Sequence, residues 1–255
     1  MRNIWTIYKK ELNSYFVSWV AYLLLAMFAA VSGFFFWVFL RGFIEYGMMA
    51  QMRGQMTPMN VNEMIIRPLL SNLNVIGLFF IPIITMRLFA EEKRNGTIEL
   101  LATSPITDAQ IIIGKWLAAL TLYATMLFFT GLNLAFLFKY GNPDWKPLLV
   151  GYLGMLLFAG AMLAVGIFIS SLTRNQIIAG AITFGICLLL WVIGWAGQFD
   201  SGTGSRILSY ISVTTHFESF EKGVLASKDA IYYLSLIFLG LFLTTRSMES
   251  LRWRS

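Results

Sequence analysis

The chain has 255 residues, of which 58% are apolar and 13% are charged, and its mean hydropathy is +0.70. Soluble domains carry about 25% charged residues, so this chain has too little charge to cover a soluble globule. Its apolar content also excludes intrinsic disorder. The net charge of +6 is typical of loops that lie beside anionic lipid headgroups. A single cysteine, Cys187, cannot form an intrachain disulfide.

The chain contains six apolar runs that could cross a membrane. Roughly 20 residues of helix span the hydrocarbon core, and five uncharged runs approach or exceed that length. A shorter sixth run lies between Asp229 and Arg246, and Arg246 can extend its charge to the interface. None of the runs alternates as a strand would. The sequence therefore predicts an all-α integral membrane protein, with one transmembrane domain over residues 1–255. Its six transmembrane helices are predicted at about 17–40, 68–90, 112–138, 147–173, 175–199 and 229–246.

The first run follows Arg2, Lys9 and Lys10, as the apolar region of a signal peptide would. Its 24 residues exceed the roughly 7–15 of such a region, so we interpret it as a retained span. The alternative is cleavage near residues 30–32.

Lysine and arginine counts predict the orientation. With the N-terminus inside, eleven of these residues fall in the cytoplasmic segments and eight fall on the other side. Three precede the first span, and Arg41 directly follows it. The positive-inside rule therefore predicts a multi-pass protein of the bacterial inner membrane with both termini cytoplasmic.

Residues 3–16 have an apolar, aromatic face and a basic face at helical spacing. This pattern predicts a helix that lies in the cytoplasmic interface. The alternative is a helix that simply extends the first span.

The loop after the second span carries the densest charge in the chain, at residues 91–94. Gly96 can end the helix that descends from the membrane, and Pro105 disfavours helix at Ser104. These signals predict a short crosswise helix over residues 97–104, and a capping box at residues 107–110 that starts the next span. An apolar face too short to form its own core indicates a partner protein, and the alternative is a helix resting on lipid.

The segments 41–67 and 200–228 are predicted to be extracytoplasmic. The first is rich in methionine, at Met48, Met49, Met52, Met56, Met59 and Met64. Thioethers suit Cu(I), but methionine also fills irregular packing, so we predict no metal and keep copper as the alternative.

Residues 216–224 of the second outer segment predict an amphipathic helix that ends at Gly223. A metal on His216, Glu218 and Glu221 is disfavoured, because His216 and Glu218 do not share a helix face. We therefore expect a structural or capping role for His216.

The sequence offers no catalytic constellation. The uncharged runs lack ionisable groups, and Gly114-Lys115 lacks the upstream glycine and the hydroxyl of a P-loop. We therefore predict that the chain is not an enzyme and that a partner supplies any energy for transport. Polar residues in the spans either line a path or bond helix to helix. The candidates are Asn72, Asn74, Thr121, Thr125 and Asn133.

Four motifs in register resemble a known family over essentially the whole chain. They are Glu91-Glu92-Lys93-Arg94-x-Gly96-Thr97-x-Glu99-Leu100-Leu101-x-Thr103-x-Pro105, Lys9-Lys10-Glu11-Leu12-x-Ser14-Tyr15-Phe16-x-Ser18, Thr173-Arg174-Asn175-Gln176 and His216-Phe217-Glu218-Ser219-Phe220-x-x-Gly223-Val224. Together they resemble ABC-2-type permeases, and more narrowly those of the gliding-motility and nitrous-oxide-reductase-maturation types. A departure is Trp19, where such sequences often carry proline.

The resemblance implies a transmembrane dimer of two such six-helix subunits, formed with a second copy or a related permease. Two cytoplasmic ABC ATPase subunits, which hold ATP and Mg, would dock below it, and this chain would hold no cofactor. Residues 97–104 would be the coupling helix, and residues 3–16 the connecting helix. The implied ATPase contacts are Glu91, Glu92, Arg94, Gly96, Thr97, Glu99, Leu100, Leu101, Thr103 and Pro105.

Two functions follow from this resemblance and from the residues. The first is a permease subunit, in the export direction, of an ATP-driven transporter. The second is a mechanical transmitter that relays ATP hydrolysis to an extracytoplasmic partner without moving a substrate, which would suit the scarcity of polar residues in the spans. The sequence does not identify a substrate, and nothing in it indicates nucleic-acid binding.

Overall fold

The computed structural model describes residues 2–54, 59–97, 106–196 and 203–252, with the side chains of residues 196, 203, 205, 251 and 252 left aside. The predicted coupling helix at residues 97–104 therefore lies outside the described residues, apart from Thr97.

All regular elements in these ranges are helical. They are α1 (Arg2–Val17), α2 (Trp19–Met52), a π-helical turn (Asn62–Ile66), α3 (Arg67–Thr85), α4 (Ala90–Asn95), α5 (Asp108–Tyr140), α6 (Trp145–Leu172), α7 (Gln176–Ala196), α8 (Thr203–Ile211), α9 (Val213–Glu221) and α10 (Ser227–Arg252). Six stretches, built on α2, α3, α5, α6, α7 and α10, are long and apolar enough to cross a membrane. The predicted all-α class with six spans is confirmed. We call the end of the bundle that carries α1 and α4 the near end, and the end that carries residues 59–66 and 203–226 the far end.

Helix α6 forms the centre of the bundle. In its most apolar stretch 72% of the residues are buried, against 22% in each of α2, α7 and α10. Its glycines allow this burial, because a Cβ at Gly154 would lie 2.4 Å from Phe220 and one at Gly166 would lie 2.4 Å from Thr85 Oγ1. Small residues of this kind let helix backbones approach closely in a membrane.

Helix α1 is separate from α2 and packs on α5. Ser18 divides them, since it is the N-cap of α2 and its Oγ accepts a hydrogen bond from the Val20 amide at 3.3 Å. Ile7 of α1 packs so closely on Gly114 that a Cβ at this glycine would lie 2.8 Å from the isoleucine. The first span does not simply continue from the N-terminal helix.

Helix α2 continues well beyond the predicted span end at residue 40. Its 34 residues correspond to about 51 Å, longer than the roughly 30 Å hydrocarbon core. The first part of the segment 41–67 is therefore a helical extension, on which Met48, Met49 and Met52 are exposed. Met56 lies outside the described residues.

The continuous helix of the second span ends before residue 90, where the span is predicted to end. Helix α3 stops at Thr85, residues 86–89 form a turn, and α4 follows with six residues. Pro82 lies one turn before that end and lacks the amide that would bond back along the helix. Gly96 ends α4 with a φ of +71°, so its predicted role as a helix terminator is confirmed.

Candidate functional site

A buried lysine joins three elements at the near end. Lys115 of α5 is 2% exposed. Its ammonium donates to Glu11 Oε1 of α1, to Glu92 Oε1 of α4 and to the Leu88 carbonyl, each at 2.9 Å. An ammonium has three N–H donors, so this arrangement satisfies Lys115 completely. We call Lys115, Glu11 and Glu92 the Lys115 cluster.

The Lys115 cluster is electrostatically unbalanced, because two carboxylates face one ammonium. Burial raises the pKa of Glu92, and the attraction of Lys115 opposes that rise. The second carboxylate oxygen of Glu92 is buried without a hydrogen-bond partner. Loss of Lys115 would leave the two carboxylates facing each other, so this one side chain links α1, α4 and α5 at the near end.

Helix α6 holds the turn between α3 and α4. Ser170 Oγ accepts hydrogen bonds from the amides of Phe89 and Ala90, both at 3.1 Å, and donates to the Met86 carbonyl at 3.3 Å. The Lys93 ammonium donates to the Ser171 carbonyl. The two bonds to Ser170 satisfy amides at the start of α4 for which the helix itself offers no acceptor.

Helix α1 makes a second contact with this turn. The Tyr15 hydroxyl donates to the Ile84 carbonyl at 3.1 Å, and burial raises the pKa of Tyr15. Arg87 and Glu91 form an ion pair at 3.2 Å beside it. A displacement of α4 would therefore act on α1, α5 and α6 together.

The residues predicted to contact an ATPase divide into two groups. Glu91, Glu92 and Arg94 lie on α4, and Gly96 and Thr97 follow it, with the Thr97 hydroxyl donating to the Glu92 carbonyl at 3.4 Å. The second group lies outside the described residues and consists of Glu99, Leu100, Leu101, Thr103 and Pro105.

Sequence reasoning did not identify the Lys115 cluster. It assigned Lys115 to a cytoplasmic segment, because the lysine precedes an uncharged run. The signal that could have identified the cluster was a lone cation on an apolar stretch of helix that includes Ile111 and Ile112. If such a stretch is buried, as it is here, the cation needs a carboxylate partner.

The predicted capping box is wrong in its side-chain contacts. Thr107 is the N-cap of α5 but makes no side-chain cap bond, and Gln110 instead accepts from Asn3 at 3.2 Å.

Four of the five polar candidates in the spans have hydrogen bonds within or between helices. Asn72, Thr121 and Thr125 donate to carbonyls four residues earlier, and Asn133 donates to Ser32 of α2 at 3.3 Å. Asn74 differs, because its side-chain oxygen is buried and has no hydrogen-bond partner.

At the far end His216 has a structural role. One ring nitrogen, Nε2, donates to the Tyr210 carbonyl at 2.9 Å, and Nδ1 lies 2.7 Å from Asp229 Oδ1. The Ser219 hydroxyl donates to the other carboxylate oxygen, and the His216 ring stacks on Tyr232 at 3.9 Å. These contacts tie α9 to α10. Within the described ranges, no three His, Cys, Asp or Glu residues are grouped as metal ligands would be.

Comparison with known proteins supports a transporter. Residues 5–241 match the family described as ABC-2 family transporter protein. Two relatives, from Escherichia coli strain K12 and from Escherichia coli O157:H7, both bear the name "Probable multidrug ABC transporter permease YbhR". Each is 28% identical over 172 residues, which is 65% of this chain and 44% of the relative, so the chain matches less than half the length of either. Because the family match covers nearly the entire chain, this protein belongs to the ABC-2 family of transporter proteins.

Proposed function

We propose that this chain is the membrane permease subunit of an ATP-binding-cassette exporter, driven by a separate cytoplasmic ATPase that docks on residues 91–105. The observation that carries the proposal is the attachment of α4. This six-residue helix forms the first part of the predicted docking segment and is fixed to α1 and α5 through Lys115 and to α6 through Ser170 and Lys93. A push on the docking segment would therefore act on three parts of the membrane bundle.

The near end would face the cytoplasm in this proposal. The distribution of lysine and arginine favours that side, and the dense charge of α4 suits an aqueous surface. The protein would then be a multi-pass protein of the bacterial inner membrane with both termini cytoplasmic.

The active unit would contain two permease subunits, as a homodimer or with a related permease, above two ATPase subunits that carry ATP and Mg. Helices α2, α7 and α10 support a second subunit, because they are the least buried of the spans and must contact either lipid or another chain. The finer resemblance to gliding-motility and nitrous-oxide-reductase-maturation permeases remains part of the proposal and rests on the four sequence motifs.

The test is coexpression with the cognate ATPase and measurement of copurification and of ATP hydrolysis. A Glu99→Lys, Leu101→Asp double variant is expected to lose copurification or the permease-dependent stimulation of ATP hydrolysis. The matched control is Glu249→Lys, which also reverses an exposed charge, near the C-terminal end of α10. Unchanged copurification and stimulation in the double variant would refute the docking proposal.

A mechanical transmitter is the second candidate, and one observation favours it. Asn72, Thr121 and Thr125 bond to carbonyls of their own helices, so they offer little polar lining for a path. Reconstitution with the ATPase in liposomes separates the two functions. ATP-dependent accumulation of a substrate would establish transport, whereas hydrolysis coupled to an extracytoplasmic partner with no movement of solute would establish transmission.

A further inference from the structure

A cavity of about 420 Å³ opens at the far end between α3, α7 and α9. Its volume lies in the range of small-molecule sites, which is roughly 300–1,000 Å³. The residues that determine its chemistry are Arg67, Asn74, Trp191, Trp195, Glu218 and Glu221. None of them belongs to the Lys115 cluster or to the predicted ATPase contacts.

Asn74, one of the lining residues, has an unsatisfied acceptor. The residue lines the cavity and is 2% exposed, and its Oδ1 has no hydrogen-bond partner. Buried polar atoms in proteins are almost always hydrogen-bonded, and one left unpaired is destabilising. A ligand that brings an N–H or O–H donor would satisfy this oxygen.

The charge of the cavity favours a cation. One arginine and two glutamates line it, so the formal lining charge is negative by one. Arg67 is already committed to Glu221, with Nε 3.1 Å from Oε1. Glu218 is half exposed, and its partner Lys222 lies at the longer distance of 3.6 Å and is not part of the lining. Of the two carboxylates, that of Glu218 is therefore the more weakly paired and the more open to a ligand.

Two tryptophans supply the apolar side of the cavity. The rings of Trp191 and Trp195 lie 4.6 Å apart at an angle of 57°. Tryptophan faces attract cations and also contact aromatic or aliphatic groups. Gly194 lies between them, and a Cβ there would lie 2.5 Å from Ser212 Oγ, so the end of α7 is held against the segment that leads into α9.

We infer that this cavity binds an organic ammonium ion with an apolar or aromatic body, in which an N–H group reaches Asn74 and the charge lies near Glu218 and the tryptophans. The inference rests on the proposed permease function, for which it defines a class of substrate. The ammonium has two sources, a soluble amine or the headgroup of phosphatidylethanolamine.

The probe for the test is dansylcadaverine, which joins a fluorescent aromatic body to a primary ammonium. Its N-acetylated form keeps the body and loses the charge. Binding is measured by fluorescence titration of the purified chain in phosphatidylcholine nanodiscs, without any ATPase. We expect saturable binding of the amine and at least about tenfold weaker binding of the acetylated form, because a hydrogen bond to a charged group is worth about a factor of ten or more. Equal binding of both forms would overturn the inference.

Variants locate the site. Asn74→Leu keeps the side-chain volume, removes the acceptor and should weaken amine binding about tenfold. The matched control is Asn72→Leu, two residues earlier on α3 and outside the lining, which should leave the affinity within about twofold, since Asn72 bonds within its own helix. Equal effects of the two variants would overturn the inference.

Glu218 lies at a half-exposed position that tolerates substitution. Glu218→Gln should weaken binding of the amine but not binding of its acetylated form. A Glu218→Gln variant that keeps the full preference for the amine would overturn the inference.

Replacing part of the phosphatidylcholine with phosphatidylethanolamine identifies the source. A lower apparent affinity for the probe assigns the cavity to the lipid headgroup, and an unchanged affinity assigns it to a soluble amine. Because binding is measured without the ATPase, it is independent of the copurification test. Amine binding that fails while copurification and stimulation persist would overturn the substrate class and leave the permease function standing.

Discussion

Replacement of Lys115 by methionine should destabilise the near end of the bundle strongly. Methionine preserves much of the apolar length of lysine but supplies no donor, so Glu11, Glu92 and the Leu88 carbonyl all lose their partner. Breaking a buried ion pair by removing one member costs about 3–5 kcal/mol. In a chain of this size 1 kcal/mol corresponds to roughly 2–4 °C, so the melting temperature should fall by about 10 °C at neutral pH.

Cys187 provides the assay. It is fully buried in α7, so a thiol-reactive fluorophore reports its exposure as the protein unfolds in detergent. The matched control is Lys146→Met at an exposed position in the first turn of α6, which should change the melting temperature by less than about 2 °C.

A double-mutant cycle refines this prediction. Addition of Glu92→Gln to the Lys115→Met variant removes one of the two uncompensated carboxylates, so it should recover part of the lost stability. A Lys115→Met protein that melts within about 2 °C of wild type would show that the cluster does not hold α1, α4 and α5 together.

Three further predictions concern the same end of the bundle. Gly166→Ala should lower the melting temperature by several degrees, because overpacking costs about 1–3 kcal/mol, whereas Gly185→Ala, with nothing within 4 Å of the new methyl, should leave it unchanged or slightly higher. Ser170→Ala should lower it by roughly 5 °C by leaving two amides unpaired, and an equal effect of the exposed Ser235→Ala would contradict this role. Glu92→Gln should change the dependence of stability on pH. Because burial raises the pKa of Glu92 above 4.5, the folded state binds this proton more tightly, and wild type should lose stability relative to the variant as the pH rises from 4.5 through the raised pKa. Melting curves that differ by a constant amount from about pH 4 to about pH 8 would exclude this linkage.

The number of spans and the helical class were predictable because they depend on long uncharged runs, which local composition records. The end of α4 at Gly96 was predictable for the same reason. A glycine can end a helix through its own backbone conformation, without any tertiary contact. The extent of α2 was not, because Arg41 ended the uncharged run while the helix continued with that arginine paired to Glu45 one turn later. A charged residue indicates the end of the segment that lies in hydrocarbon, but the helix itself can continue beyond that residue.

The candidate site was harder to predict because its contacts are distant in sequence. Lys115 meets Glu11 across 104 residues and Glu92 across 23, and no local pattern signals either pairing. Asn74 illustrates the same limit. Five polar residues in the spans had similar sequence surroundings, and only the packing of α3 left this one without a hydrogen-bond partner for its oxygen.

Helix α6 contacts both regions for which we propose functions. Ser170 and Ser171 at its near end hold the turn and α4, while Gly151 and Gly154 toward its other end accept Leu70 and Phe220. A regular helix of 28 residues is a rigid rod about 42 Å long. If it tilts by about 5° around one end, the other end moves by about 4 Å, which is more than the diameter of a water molecule. This helix touches α3, α7 and α9, all three walls of the cavity, so a small displacement at the near end would change the width of the cavity without any rearrangement inside the helices.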